Sequence, residues 1–572
     1  MVAMYVEVVP NRNSKPAILL RRGWREGGKV RKETLANLSH WPPSQVEALR
    51  RLLRGEALVS AEERFAIVRS RPHGHVEAIL AMIRKLGLEP LLSGKRSRQR
   101  DLVVAMIVQR LLDPGSKLSN VRQWQATTLG EELELEGVEV DELYDALDWL
   151  LARKDAVEER LARRHLTDGC LVLYDVSSSY YEGRHCPLAA FGHNRDGKKG
   201  RPIIVYGVLC DRQGRPVAVD VYPGNTADPT TVPEQAQKLQ QRFGLKRVVL
   251  AGDRGLLTNT QIDHLRQHPG LGWISSLRSE AIRHLVEGEA LQLSLFDQAD
   301  LAEITSPDYP GERLIACFNP LLAEQRRRKR QELLEATEAE LERICRDVAR
   351  RTKKPYSPEQ VGAKVGKVLS RFKMAKHFDW HLDEQGRLVF QRREDKIQAE
   401  AALDGMYVIR TSEPAESLSA ADAVRSYKRL AQVEQLFRCL KTIDLNVRPI
   451  FHRLADRVVA HIFLCMLAYY VEWHLRQVWA PLLFQDEQLE DDRALRHPVA
   501  PPKPSDSARD KKKTLTTPEG WPVHSFHTLL SHLATRCRNT CRLADAAPDE
   551  PTFELLTELD PIQGRALKLL RV

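Results

Sequence analysis

Residues 170–182 read CLVLYDVSSSYYE, an apolar, β-rich run that turns polar as it ends. Valine, tyrosine and leucine at this density, with no glycine or proline, predict a buried strand. C-terminal to it, RPIIVYGVLCD (201–211) and RPVAVDVYPGN (215–225) flank an RQG turn (212–214) and predict an antiparallel hairpin. A helix follows at 230–243, then the apolar strand RVVLAGD (247–253), a helix at 258–267 and the strand LGWISSL (271–277). Three antiparallel strands, then helix, strand, helix and strand, make a mixed α/β sheet.

Asp175 ends the apolar run LVLYD and Asp253 ends VVLAGD. A single Asp at the polar end of a strand is ordinarily a turn former. Two such strands in one sheet can set both carboxylates at the same edge. Bare carboxylates a few ångströms apart repel, so such a pair normally needs a divalent cation. Hard oxygen donors suit Mg²⁺ or Mn²⁺. A helix at 419–442 offers a third acid. Tyr427, Glu434 and Lys441 are spaced by seven and so share one helix face. Leu430, Val433, Leu436, Phe437 and Leu440 form an apolar stripe beside them. The plainer reading of Glu434 is an i,i+4 pair with Arg438 on a solvated helix. Taken with the two Asp residues, the layout suits gripping a phosphodiester: acids for two metals, Lys441 and Tyr427 for a phosphate.

The chain has 572 residues, and 87 Lys+Arg against 77 Asp+Glu leave a net charge of +10. That length exceeds what one core usually supports, so several domains are expected. The pI of about 9.1 points to a polyanion. Residues 1–40 hold eight Lys/Arg and three Glu, 8 − 3 = +5. Their pattern predicts a small basic β-hairpin region over 1–43. Helical periodicity runs through 44–165, as at Val76, Ile79, Leu80, Ile83 and Leu86, with a basic GKRSRQR cluster at 94–100. Helices behind short basic turns suit helix-turn-helix DNA contact, and a helical bundle with a charged surface fits equally. HNRDGKKGR (193–201) reads as a solvated turn or as a contact to flanking DNA. In PGNTAD, Gly224 is expected to supply an unusual backbone angle, and Asn225 and Asp228 to cap the next helix. A long charged helix at 320–350 carries EQRRRKRQ (324–331). The apolar run Val458–Val471 is too short to span a bilayer and reads as a buried helix. Residues 481–520 read as a polar, proline-rich linker before a helical segment, 521–572. Nine dispersed cysteines without a CxxC pair suggest reduced thiols and a cytoplasmic protein. His524, His527, His532, Cys537 and Cys541 lack a known zinc-ligand spacing. No nucleotide-binding loop, serine-hydrolase elbow or HExxH is present, which removes the usual signatures of those chemistries.

Residues 166–475 resemble the RNase H-like DDE transposases of bacterial insertion sequences, in particular the IS-four superfamily. The carrying segments are LYDVSSSYYEG (173–183), VYPGNTADPTTVP (221–233), VVLAGDRGLLT (248–258) and YKRLAQVEQLFRCLK (427–441). The resemblance implies that Asp175, Asp253 (in a D-x-G context with Gly255) and Glu434 are catalytic and hold two Mg²⁺ or Mn²⁺ ions. It implies DNA contacts by Tyr427 and Lys441. The family's motif Arg is replaced by Leu430, leaving Arg429 or Arg438 to assist. The implied fold is multidomain α/β. An RNase H-like mixed sheet (166–280 and 404–480) is interrupted by a strand-containing insertion domain (281–403), as the separation of Asp253 and Glu434 requires. A β-hairpin region and a helical DNA-binding region precede it. The implied activity is cut-and-paste transposition: binding the terminal inverted repeats of an insertion sequence, cleaving, and joining 3′ ends to target DNA. A homodimer or larger synaptic complex in the cytoplasm, at the nucleoid, is expected. The alternatives are an RNase H-like metal-dependent nuclease or resolvase, and a transposase-derived DNA-binding protein without catalysis.

Overall fold

A computed structural model describes residues 3–12, 15–56, 65–297, 300–500, 503–543 and 547–570. The chain forms two compact units, Met1–Pro72 with Arg536–Glu558, and His73–Thr535 with Leu559–Val572.

The first unit opens with a three-stranded antiparallel sheet, β1 (Ala3–Val9), β2 (Ala17–Glu26) and β3 (Lys29–Asn37). The β2–β3 turn is Gly27–Gly28, both at positive φ (57° and 81°), a conformation only glycine takes without strain. The expected hairpin therefore gains a third strand. All nine β3 residues are exposed, so no apolar alternation announces it. Glu7 bonds Arg21 and Lys32, Glu33 bonds Arg22, and Glu26 bonds Arg31, which matches half of the region's cations with acids on neighbouring strands. Helix α1 (Pro43–Leu53) follows. The continuous helical pattern expected from residue 44 is then broken by a strand, β4 (Phe65–Pro72), whose FAIVRSRP is rich in β-formers.

The second unit begins with helices α2 (Gly74–Leu86), α3 (Arg98–Leu112), α4 (Lys117–Ala126), α5 (Val140–Leu151) and α6 (Lys154–His165). Ser97 and Ser116 cap α3 and α4 through their hydroxyls. Next come β5 (Cys170–Tyr180), β6 (Ile203–Asp211), β7 (Pro216–Pro223), β8 (Val248–Ala251), α7 (Asn259–Arg266) and β9 (Leu271–Ser276). Two further strands, β10 (Leu301–Ile304) and β11 (Arg313–Phe318), precede the helices α8 (Pro320–Arg350) and α9 (Pro358–Phe372). A hairpin, β12 (Phe378–Leu382) with β13 (Leu388–Arg392), leads to β14 (Met406–Thr411). Helices α10 (Ala420–Lys428), α11 (Leu430–Arg438) and α12 (Ala455–Val478) follow.

Eight strands form one mixed sheet in the order β10-β11-β14-β9-β8-β5-β6-β7. Its parallel pairs are β5–β8 and β8–β9, with Leu173 opposite Ala251. The segment between β9 and β14 serves two purposes. Its first part extends this sheet through β10 and β11, with Ile315 opposite Ile409 of β14. Its second part builds a separate small core from Leu334, Leu341, Val361, Val365, Leu369 and Phe378. The basic run on α8 is largely committed: Arg330 is buried against Asp404, Arg326 donates to the Leu403 and Met406 carbonyls, and Arg327 and Arg328 bond Glu324 and Glu332. The 94–100 cluster is committed too, with Arg96 on Asp101 and Arg98 on Glu142.

Helix α12 is buried as its apolar run predicts, and it packs on α2, α3, α5 and β7. It joins the helical block to the sheet. The expected linker, by contrast, is folded. Helices form at Leu489–Leu495 and Asp506–Thr514, and the buried Lys511 ammonium donates to the carbonyls of Ala480, Leu483 and Gln485 and bonds Glu487. Composition cannot reveal a lysine that is satisfied by oxygens elsewhere in the chain. The C-terminal segment, expected to be helical, is helical at Phe526–Ala534 and Pro561–Leu570. Between these lie strands β15 (Cys537–Leu543) and β16 (Phe553–Leu556), and β15 pairs with β4 in the first unit. Cys537 and Cys541 therefore sit on a strand, not on a helix with His532, which bonds Asp560.

Gly224 corrects another expectation. Its φ is not positive; a Cβ there would stand 2.0 Å from the Ile203 carbonyl oxygen and 2.4 Å from that of Ala190. Close backbone approach, not an unusual angle, fixes glycine at this position. Gly224→Ala is expected to lower the melting temperature by several degrees, at about 1–3 kcal/mol for overpacking. Gly366→Ala, in α9 with open space around the new methyl, should raise it slightly. Thermal unfolding of the two variants checks both signs.

Candidate active site

Asp175 lies on β5 between the buried Tyr174 and Val176, and its Oδ1 accepts from the Val176 N–H at 2.8 Å. Asp253 follows β8, the parallel neighbour of β5. Its Oδ1 accepts from the N–H groups of Gly255 (3.0 Å) and Leu256 (2.7 Å), a turn that aims the carboxylate off the strand end. Helix α11 packs on β5 through Val433, Leu436 and Phe437, with the Phe437 ring 5.8 Å from that of Tyr206 on β6. That stripe leaves Glu434 exposed at its border. The competing Glu434–Arg438 pair does not form. None of the three carboxylates makes an ion pair among the described residues.

The electrostatics tie the three together. Loss of water pushes the Asp175 carboxyl up to about 7, and the charges of Asp253 and Glu434 push in the same direction. Arg195 opposes them. Tyr427 is raised by burial and, among its neighbours, by Asp253 and Glu434, and its hydroxyl shares a hydrogen bond with Ser276 at 2.7 Å. Beside Asp253 opens a cleft of about 410 Å³, lined by Arg254, Gly255, Arg278 and Ser279. Mutually coupled hard carboxylates with no ion pair among the described residues fit divalent metal ions. The buried group whose ligand atoms already lie within 4.8 Å of one another is a different one, Cys439, Asp444 and Glu472. There the Arg476 guanidinium bonds Glu472 (2.6 Å) and Asp444 (2.9 Å), so the positive charge a metal would bring is supplied by the chain.

Comparison with known proteins accounts for this arrangement. The family described as "Transposase DDE domain" matches residues 168–471, and "IS1634 family transposase, N-terminal domain" matches residues 6–65. The chain belongs to the insertion-sequence DDE transposases. No curated protein matches it in sequence. Among solved structures it is loosely similar to the piggyBac transposase in a synaptic complex with hairpin DNA, at 9% identity and a TM-score of 0.33, over 81% of this chain and 76% of that chain.

The long helix expected at 419–442 is divided in this transposase. It breaks at Arg429 between α10 and α11 and ends in a π-turn, Cys439–Ile443. The extra residue of the π-turn rotates Lys441 away from the face shared by Tyr427 and Glu434. Lys441 meets Asp196 at 3.2 Å instead, and Arg448 bonds the same carboxylate. The Asp196 side chain is 1% exposed and also accepts from the Tyr180 N–H at 3.0 Å. Arg195 pairs with Asp228, so Asp228 holds a cation next to Asp175 rather than capping a helix. Arg429 turns to the Arg212 carbonyl (3.1 Å) and Glu490 (2.8 Å), and Arg438 stays exposed.

The loop 193–201 is thus divided: Arg195 and Asp196 turn inward, while Lys198, Lys199 and Arg201 stay exposed. Sequence reasoning missed Arg195, Asp196 and Arg448, because single charged residues far apart in the chain carry no periodic signal. The one available hint was that HNRDGKKGR sits between the strand of Asp175 and the PGNTAD segment.

Two predictions follow from these charges. A carboxyl whose folded pKa is raised stabilises the fold fully below its unfolded value and loses that contribution as pH rises through the folded value. Metal-free protein should therefore lose stability between about pH 4 and 7 on account of Asp175, and Asp175→Asn should flatten that part of the profile; melting curves against pH compare the two. Asp196→Ala strands the largely buried Lys441 and is expected to cost about 3–5 kcal/mol. Adding Lys441→Met should recover part of the loss, which a double-mutant cycle of unfolding measures.

Proposed function

We propose that this transposase binds the terminal inverted repeats of its own insertion sequence, cleaves there, and joins the freed 3′ ends to target DNA. The observation that carries the reading is the electrostatic coupling of Asp175, on a strand, to Asp253, at a strand end, and Glu434, on a helix, with no ion pair to any of them among the described residues, inside a match to a transposase DDE domain. In this reading the β5–β9 sheet with α11 is an RNase H-like core. The three carboxylates hold two Mg²⁺ or Mn²⁺ ions. Bound there, such ions lower the barrier to in-line phosphoryl transfer by activating the attacking oxygen and stabilising the leaving one.

The chain's own groups do the rest. Asp253 is pre-aimed by two backbone N–H groups, which lowers the reorganisation needed at the moment of reaction. Exposed Arg254, Arg278 and Arg438 offer charge to the DNA backbone, and Tyr427, which feels both Asp253 and Glu434, contacts the terminal phosphate. The basic sheet of the first unit, where four of eight cations have no acidic partner among the described residues, supplies sequence-independent attraction to duplex DNA. Two element ends held together need a homodimer or larger synaptic complex, and the work is done in the cytoplasm at the nucleoid.

The decisive assay is Mg²⁺-dependent cleavage of a DNA fragment carrying the element's native end. Asp175→Ala, Asp253→Ala and Glu434→Ala should each abolish strand cleavage while end binding persists. Full cleavage by Asp175→Ala protein would overturn the assignment.

A further inference from the structure

Away from the three acids, four basic side chains converge inside the second unit. Arg110 lies near the end of α3, Lys117 in the first turn of α4, His452 in the loop before α12, and His461 on α12. Arg110, Lys117 and His461 are 6%, 5% and 6% exposed. The His452 and His461 rings lie 5.0 Å apart, and α12 packs directly on α3. Arg110 donates to the Leu445 carbonyl at 3.4 Å. Lys117 and Arg110 each act electrostatically on both histidines and, with burial, hold them neutral, so two cations and two imidazoles face one space.

What is missing there is an acid. The other charged or titratable groups facing the cluster include Arg457, which is turned to Asp148 at 3.0 Å, Tyr144, whose ring is 6.1 Å from that of His452, and Cys465, whose Sγ is 3.9 Å from His461 Nε2. Arg110, Lys117, His452 and His461 make no ion pair among the described residues, and the Lys117 ammonium makes no hydrogen bond among them. Asn120, one turn beyond Lys117 and also buried, has an unpartnered amide oxygen. Burying a guanidinium and an ammonium without a counter-charge is costly. Burial and Arg110 bring Lys117 down to about 7, so a modest stabilisation suffices to keep it charged. Guanidinium and ammonium offer donors and no acceptors, and burial with the two cations keeps both imidazoles neutral, each with one N–H to give, a set that complements a tetrahedral oxyanion. The N-terminus of α4 adds the positive end of a ten-residue helix. The cluster reaches toward the surface at half-buried His452, whose neighbour Phe451 is 60% exposed. The same loop carries Arg448, the partner of Asp196.

We propose that Arg110, Lys117, His452 and His461 form a second phosphate-binding site, which takes either a backbone phosphodiester of DNA or free inorganic phosphate. The DNA arm rests on the transposase reading; the free-phosphate arm does not. The test uses the full-length protein, Lys117→Met and the charge-keeping Lys117→Arg. Melting is followed in inorganic phosphate against chloride at matched ionic strength, and binding to a native-end duplex is followed against salt concentration. Phosphate should raise the melting temperature of the wild type and of Lys117→Arg, and that rise should vanish in Lys117→Met; this outcome identifies free phosphate as a ligand. A salt slope of duplex binding that falls by about one in Lys117→Met and is kept in Lys117→Arg identifies a DNA phosphate. If neither the phosphate-dependent rise nor the salt slope differs between wild type and Lys117→Met, the proposal is overturned. It is equally overturned if Lys117→Arg loses both readouts along with Lys117→Met, because a packing role alone would do that. Wild-type binding to the native end is the control: its failure sinks the transposase reading and leaves the phosphate measurement standing.

Discussion

Three like charges gathered at one sheet edge are the constraint around which the second unit is built. Asp175 cannot leave β5, Asp253 is clamped by two N–H groups, and Glu434 is carried by a helix whose apolar stripe is locked onto β5 and β6. Each carboxylate is thus fixed by backbone and packing, not by attraction to the others. Burial raises Asp175, and repulsion from Asp253 and Glu434 adds to it. A site of this kind stores unfavourable electrostatics that a bound cation relieves, and the cost is borne by the surrounding hydrophobic core.

The neighbouring charges are managed differently. Asp196 neutralises Lys441 and Arg448, Asp228 neutralises Arg195, and Arg476 bridges Asp444 and Glu472. These internal pairs occupy side chains that would otherwise crowd the acids or compete for them. Basic runs that read as surface patches, at 94–100 and 324–331, are likewise turned largely inward or onto adjacent glutamates. The net charge of +10 is therefore spread less evenly than a count of runs implies. Around Lys117, by contrast, buried cations meet no acid among the described residues.

Much of the fold was legible because it rests on local periodicity. The strands around Asp175 and Asp253, the hairpin through 212–214, the helix at Pro320–Arg350 and the buried helix Ala455–Val478 all follow from apolar spacing and turn chemistry. The failures share a cause. Strand β3 has no apolar face, β15 needs β4 from far along the chain to exist as a strand, and the segment after residue 481 is held by a buried lysine that reads as polar. In each the deciding partner lies outside the local window.

By itself the sequence determined which elements carry the acids, because strand and helix periods fix the face of a side chain, whereas β5 runs five residues past Asp175, which its apolar run placed at the strand's end. It also carried the motif spacing that marks a DDE transposase. Only the tertiary structure decided where the cations go. The π-turn rotates Lys441 toward Asp196, Arg429 is drawn off by Glu490, and Arg195 is brought over Asp175 by Asp228. Long charged side chains have no period of their own. Their partners are set by Coulomb attraction across distant segments, and those distances exist only once the chain is folded.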